Sequence, residues 1–292
     1  MKRTVEKILH GSPFHMVGDG FRVRNYFPNG NLLGRRFSPF FLLDYHPPFD
    51  YPALHEGAPK RGVGVHPHRG FETVTLALEG SVAHHDSAGN SGTIGPGEVQ
   101  WMTAARGVLH KEYHEEEFSR SGGSFHMLQL WVNLPAAHKM DPPSYQALSR
   151  DLIANVPIAN GNVRVIAGEY RGVNGPARTF TPMAMYLVTL DAGATFDASL
   201  PASWNTGVLV TDGLAQLLGK ENAQPQDFVL YANDGEDLRI TAKTDVRRAL
   251  LSGEPINEPI AHHGPFLMNT QEELDQAFED FKAGRFGELN DN

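Results

Sequence analysis

Cysteine is absent from the 292 residues. Disulfides, thiolate catalysis and cysteine-ligated zinc or iron–sulfur centres are therefore excluded, and any metal must be held by His, Asp, Glu or water. No apolar stretch approaches the ~18 residues that a membrane-spanning helix needs; the longest, such as Met183 to Leu190, are far shorter. Basic residues are outnumbered, 25 Lys and Arg against 34 Asp and Glu, and they come as isolated pairs such as Arg35-Arg36 and Arg247-Arg248. With a net charge of −9 and no basic run to neutralise successive phosphates, neither direct nucleic-acid binding nor a membrane role is expected. Charges interrupt the apolar positions of the first ten residues and no signal-peptide core follows, so the expected compartment is the cytoplasm.

What is present points to strands. Hydrophobic residues make up 40% of the chain, enough for packed cores, and 30 Gly with 20 Pro punctuate it more often than a helical protein would be. Segments that alternate apolar and polar recur between turn signals, at 71–79, 99–102, 125–132, 163–167, 183–190, 207–211 and 246–251. Val74, Leu76 and Leu78 fall on one face, so even-numbered side chains are expected to point inward there. One helix is expected after Thr270, where Glu273 completes capping-box spacing and Leu274, Ala277, Phe278 and Phe281 share a face. A proline-rich stretch at 134–143 follows a strong strand pattern and predicts a boundary near residue 140. The expected domains are 1–140 and 141–292, the second carrying the terminal helix. Leu78-Glu79-Gly80-Ser81 echoes Thr211-Asp212-Gly213-Leu214, which suggests a degenerate duplication and two stacked barrels.

Twelve of the 14 histidines lie between His10 and His138, so metal chemistry is expected in the first half. Two short pairs carry it, His66-Pro67-His68 and His110-Lys111-Glu112. On a strand, i, i+2 spacing puts both side chains of a pair on the same face. Two such strands can hold one divalent metal through three imidazoles and a carboxylate, with positions left open for substrate or dioxygen. Each pair alone reads equally well as a surface turn or as part of the polar run 111–117; together they favour a metal. His84-His85 and His262-His263 are adjacent pairs whose members face opposite ways, and they are expected to be structural or exposed, like His114, His126 and His138.

The pattern His66-x-His68-x-x-x-Glu72, then Gly80, then Pro96 and a later His110, resembles the two-part motif of the cupin superfamily. More closely, the 64–75 block (Gly-Val-His-Pro-His-Arg-Gly-Phe-Glu-Thr-Val-Thr), the 97–104 block and the ending Gly264-Pro265-Phe266-Leu267-Met268-Asn269-Thr270 resemble the pirin family over nearly the whole chain. That resemblance implies an all-β fold of two tandem cupin (jelly-roll-like) barrels with a C-terminal α-helix. It implies one metal, usually iron, in the N-terminal barrel only, held by residues matching His66, His68, His110 and Glu112. Carried across the internal repeat, their counterparts would be Ser199, Pro201, Arg248 and Leu250, which make no ligand set. Glu72 is expected behind the ligands, accepting a ring N–H if Gly70 does not disturb the strand parity. Trp101 and Met102 are expected to line the pocket.

Bacterial pirin-like proteins are similar to quercetin 2,3-dioxygenases. The resemblance therefore implies a metal-dependent dioxygenase that opens the heterocycle of flavonols such as quercetin with O2 and releases carbon monoxide, with Glu112 taking the substrate proton. The metal is expected to be Fe(II), with nickel, cobalt, manganese, copper or zinc compatible with the same donors. The alternative, by resemblance to eukaryotic pirins, is a redox-sensitive iron-binding regulator acting through protein partners. A basic patch beside the metal would favour it, and only Lys60, Arg61 and Arg69 are candidates.

Overall fold

A computed structural model describes residues 1–27, 33–218 and 221–290. The chain is all-β apart from short helical turns and one C-terminal helix, Gln271–Lys282. Among the described residues no helix is long and apolar enough to cross a membrane.

Two compact units form, and each draws on distant parts of the chain. One, here the N-terminal barrel, takes in the described residues of Pro13–Pro28, Phe40–Arg150 and Ile256–Asn292. The other, the C-terminal barrel, takes in those of Met1–Ser12, Asn29–Pro39 and Asp151–Pro255. This departs from the simple cut near residue 140. The first strand, Val5–Leu9, pairs with Phe228–Tyr231 in the C-terminal barrel. The terminal helix packs Leu274 and Ala277 with Phe266, Met268 and Phe286, and against Leu109 of the N-terminal barrel. Both excursions bury apolar faces that no local segment could cover, and a linear reading of turn signals does not register such long-range exchange.

Each barrel is an antiparallel seven-stranded sheet with a four-stranded one. In the N-terminal barrel the central strands of the large sheet run Val99–Thr103, Phe71–Glu79, Gly123–Asn133, Phe40–Tyr51; the small sheet runs Gly62–His68, Val108–His114, Val82–Asp86, Ser91–Ile94. In the C-terminal barrel the same positions are taken, in the same chain order, by Phe228–Tyr231, Asn205–Asp212, Val246–Gly253, Met183–Leu190 and by Thr195–Ser199, Asp237–Ala242, Ala215–Leu217, Asn222–Ala223. The duplication suggested by the short sequence echoes is thus a duplication of topology. It also corrects the residue correspondence. The strand of His110 answers Asp237–Ala242, whereas Arg248 lies on the strand that answers Gly123–Asn133.

The inward-pointing even register needs a second correction. Thr73, Thr75 and Ala77 are as buried as Val74 and Leu76, so the 71–79 strand is covered on both faces. The hydroxyl of Thr75 lies 3.3 Å from Glu112, so it is the odd-numbered face that looks towards the histidines. Parity is lost because the 62–68 and 71–79 strands belong to different sheets. Between them Gly70 takes a φ of +89°, and a Cβ there would lie 2.0 Å from the Leu267 carbonyl oxygen, so only glycine fits the crossing.

The helix forms as its sequence demands. Thr270 caps it, accepting from the Glu273 amide while the Glu273 carboxylate accepts from the Thr270 amide, an arrangement that contributes about 1 kcal/mol. It is pinned by a buried ion pair, Asp280 to Arg69, at 2.8 Å. Burial alone would raise the Asp280 carboxyl, but hydrogen bonds from Arg69, Gln276 and Arg285 hold it below its ordinary value. Because Arg69 is only 4% exposed, Asp280→Asn strands a buried guanidinium and is expected to cost about 3 kcal/mol in urea unfolding. The pair's contribution is complete above the unfolded carboxyl value of 3.8 and is lost only as pH falls through the lower folded value. The deficit of the variant should therefore be constant between about pH 5 and 8.

Candidate metal centre

The small sheet of the N-terminal barrel brings the two sequence pairs together. Antiparallel pairing sets His110 directly opposite His66, and one ring nitrogen from each of His66, His68 and His110 falls within 4.8 Å of the others. The His66 and His110 ring centroids are 4.2 Å apart, and those of His68 and His110 4.7 Å. Burial holds His68 and His110 well below the ordinary histidine value of 6.5, and neighbouring imidazoles push the same way. Both rings are therefore neutral at pH 7 and keep a lone pair.

Hydrogen bonding fixes which nitrogens are left over. His66 places Nδ1 2.8 Å from the Gly64 carbonyl oxygen; a carbonyl only accepts, so Nδ1 carries the proton and Nε2 is free. Nδ1 of His68 and Nε2 of His110 are buried with no hydrogen-bond partner among the described residues. Buried polar atoms are normally satisfied. Unpartnered nitrogens in one cluster of three imidazoles are what a resident divalent cation would complete, and the donor set fits such an ion.

Glu112 stands beside this triad. It shares a strand face with His110, but the register with the 62–68 strand shifts between them, so Glu112 lies opposite Val63. Its closest titratable companions are His110 and His84, with which it forms a second group of potential ligands. Both carboxylate oxygens are held: Gln100 Nε2 donates to Oε1 at 2.7 Å and Gln129 Nε2 to Oε2 at 2.8 Å. The two glutamines sit on strands flanking 71–79, opposite Thr75, and nothing in their local sequence marks them.

His84 departs from the expectation of a structural or exposed residue. It is fully buried, cross-strand from Glu112, and its Nδ1 lies 3.4 Å from Nδ1 of His110. Its Nε2 faces Asp86 Oδ2 at 3.3 Å. A carboxylate only accepts, so Nε2 of His84 bears a proton towards Asp86, and with Nδ1 of His110 directed at His84, Nε2 of His110 is the free nitrogen. His84 and His85 diverge as adjacent strand residues do: His85 turns away to the Tyr113 hydroxyl, and His84 is the one that faces inward.

The remaining expected site residues distribute as follows. Glu72 is buried and accepts from the Thr103 hydroxyl at 2.7 Å; burial raises its carboxyl to about 7. It lies on the even face, away from the histidines, for the parity reason given above. Trp101 pairs with Val74 on that same face and belongs to the core rather than the pocket wall. Met102, opposite Thr73, faces the site side and packs with Ala104, Val108 and Tyr145. Tyr145 stacks on His84, its hydroxyl 3.3 Å from Gln100 Oε1. Burial, then the charges of Glu112 and Asp86, push its phenol up to about 12. The other wall is aromatic: Phe71 stacks on Trp131 at 4.2 Å, and both meet His68 edge-on. Of the thin basic patch, Arg69 is buried in its ion pair with Asp280 and offers no surface charge.

In the C-terminal barrel the inward positions of the strands that answer 62–68 and 108–114 are Phe196, Ala198, Leu238 and Ile240. Among the described residues, both groups able to hold a metal lie in the N-terminal barrel.

Comparison with known proteins places this geometry. A family model described as Pirin matches residues 20–132, and one described as Pirin C-terminal cupin domain matches residues 185–287. A Pseudomonas aeruginosa protein named "Putative quercetin 2,3-dioxygenase" is 50% identical over 274 residues, covering 93% of this chain and 94% of its own. The human protein named Pirin is 36% identical over 276 residues, 92% of this chain and 89% of its own. A crystal structure of quercetin 2,3-dioxygenase from Acinetobacter baumannii superposes with a TM-score of 0.94 at 40% identity, over 99% of this chain and all of the other.

Proposed function

The chain belongs to the pirin family, and on that premise we propose that it is a metal-dependent dioxygenase acting on flavonols of the quercetin type, with the metal, most simply iron, held by His66, His68 and His110 and approached by Glu112. The observation that carries this reading is the convergence of three imidazoles, two of them with unpartnered buried nitrogens, beside the aromatic pair of Phe71 and Trp131. Similarity to proteins named for quercetin dioxygenation supports the substrate class.

A divalent metal bound there would supply Lewis acidity towards a substrate hydroxyl and a redox partner for O2. The protein's own groups do the rest. Trp131, partly buried and backed by the fully buried Phe71 ring, presents ring surface against which a flat aromatic substrate can lie. Gln100 and Gln129, each donating to one oxygen of Glu112, hold the carboxylate in place beside His110, where it can take the enol proton. A carboxylate that must accept a proton cannot also be a tight ligand. Its separation from the His66–His68 pair is consistent with the base role.

Glu112→Gln tests that role. The isosteric amide keeps the hydrogen-bonding volume but has no basic oxygen, so carbon monoxide release from quercetin is expected to fall about 100-fold while bound metal stays near the wild-type level. Unchanged release would remove Glu112 from the chemistry. Metal lost in parallel would make it a ligand instead.

A further inference from the structure

The C-terminal barrel carries no cluster of metal donors among the described residues, yet its interior is not simply apolar. Arg248 projects into a core of Val188, Val208, Val210, Leu250 and Phe196, 2% exposed. Its strand neighbours are Val188 on one side and Val210 on the other. Nε, Nη1 and Nη2 all lack a hydrogen-bond partner among the described residues, and so does the buried hydroxyl of Tyr231. No carboxylate among the described residues pairs with it. The guanidinium lies 5.3 Å over the Phe196 ring, and its charge is felt by Tyr231 and Tyr170.

That arrangement is expensive as it stands. Burial lowers the Arg248 value to about 10, which leaves the group charged at pH 7, and a buried charge without a partner costs several kcal/mol. Cation–π contact with one ring returns only about 1–2 kcal/mol. Such a group is retained where something else completes it. Beside it, Tyr170 stacks on Phe196 and also lines an open cleft of about 600 Å3 together with Tyr186, Asp197 and Leu238. The rim is charge-balanced, Lys2, Arg171 and Arg239 against Glu169, Asp197 and Asp237, so it neither traps nor repels an anion strongly. The Phe196 and Tyr170 rings thus stand between the guanidinium and the cleft.

We infer that the C-terminal barrel is a binding site for a small monocarboxylate, whose two oxygens accept from the fork of Arg248 and from the Tyr231 hydroxyl, and which enters past Tyr170 from the cleft. The planar five-donor guanidinium matches a carboxylate in a bidentate pair. Burial raises the Tyr231 phenol well above its ordinary value, so it remains a donor. One buried positive charge is balanced by one negative charge, which favours a monoanion over phosphate. The apolar walls suit a short hydrocarbon remainder. The site is independent of the metal centre, since none of its residues belongs to the N-terminal barrel.

Isothermal titration of the full chain with sodium acetate at pH 7 and fixed ionic strength tests this directly, with sodium phosphate as the second probe. Saturable one-to-one acetate binding is expected, with no phosphate binding. Arg248→Met, of similar length and apolar, should weaken acetate at least about tenfold, and Tyr231→Phe by a few-fold, for the loss of a single donor. Tyr231→Phe leaves the ring in place and keeps the test available should Arg248→Met fail to fold. Absence of saturable acetate binding, binding unchanged in both variants, or phosphate bound in preference to acetate would each overturn the assignment.

Discussion

Replacing His110 with alanine is expected to leave a folded protein that has lost its metal. The side chain is fully buried and sits opposite His66, adjoining His68, Glu112 and His84 at once, so no other donor among the described residues can take its place. Affinity should fall by at least about 100-fold, more than the 10–100-fold that outer-shell changes cause. Stability should change far less. The apolar core of the barrel is built without His110. Metal analysis after dialysis, set beside thermal unfolding of the same sample, checks both halves. Retained stoichiometric metal would remove the three-histidine site. Loss of metal together with loss of fold would show that the cluster is structural.

Acid should unfold the metal-free protein well before its carboxylates are titrated. Four histidines of the N-terminal barrel are held neutral by burial: His46 and His114 at about 4, and His68 and His110 well below 6.5. A histidine whose folded value is depressed contributes stability that is complete above the unfolded value of about 6.5. That contribution is lost as pH falls from there towards the folded value, because the unfolded chain takes up the proton first. His46 and His114 alone should cost about 3 kcal/mol each at pH 4. Glu72 works the other way: its folded value of about 7 lets the folded chain bind a proton earlier, offsetting part of the loss down to pH 4.5 and no further. The balance is a steep fall in urea midpoint between about pH 6.5 and 4. His114→Asn should flatten it, since the His114 ring stacks on Phe125 and its Nε2 bonds the Gly20 carbonyl. A flat profile over that range would mean these rings are not kept neutral by the fold.

Local pattern carried much of this molecule. The strand 183–190 falls where alternation puts it, and the cap at Thr270 and Glu273 forms the reciprocal box its spacing announces. The metal pairs were legible because i, i+2 spacing survives as a shared face whatever the sheet does around it. What was hidden depends on pairing between distant strands. Glu72 lies away from the histidines because strand parity does not survive Gly70, where the chain changes sheets, and Trp101 sits with its cross-strand partner Val74 in the core. His84, Gln100 and Gln129 meet the site only by cross-strand register, which no single segment encodes. Arg248 answers the 123–133 strand and not that of His110, because a fixed offset ignores the unequal loops of the two barrels. The exchange of terminal segments between units rests on contacts such as Arg69 to Asp280, separated by most of the chain.

Oxygen consumption with quercetin, by protein loaded anaerobically with Fe(II) and beside metal-free protein and His66→Ala, is the most direct measurement of what the N-terminal barrel does. Uptake in proportion to bound iron, absent from the other two samples, is the predicted result. Iron bound at full stoichiometry with no uptake would contradict a flavonol dioxygenase, and uptake that persists in His66→Ala would contradict the site.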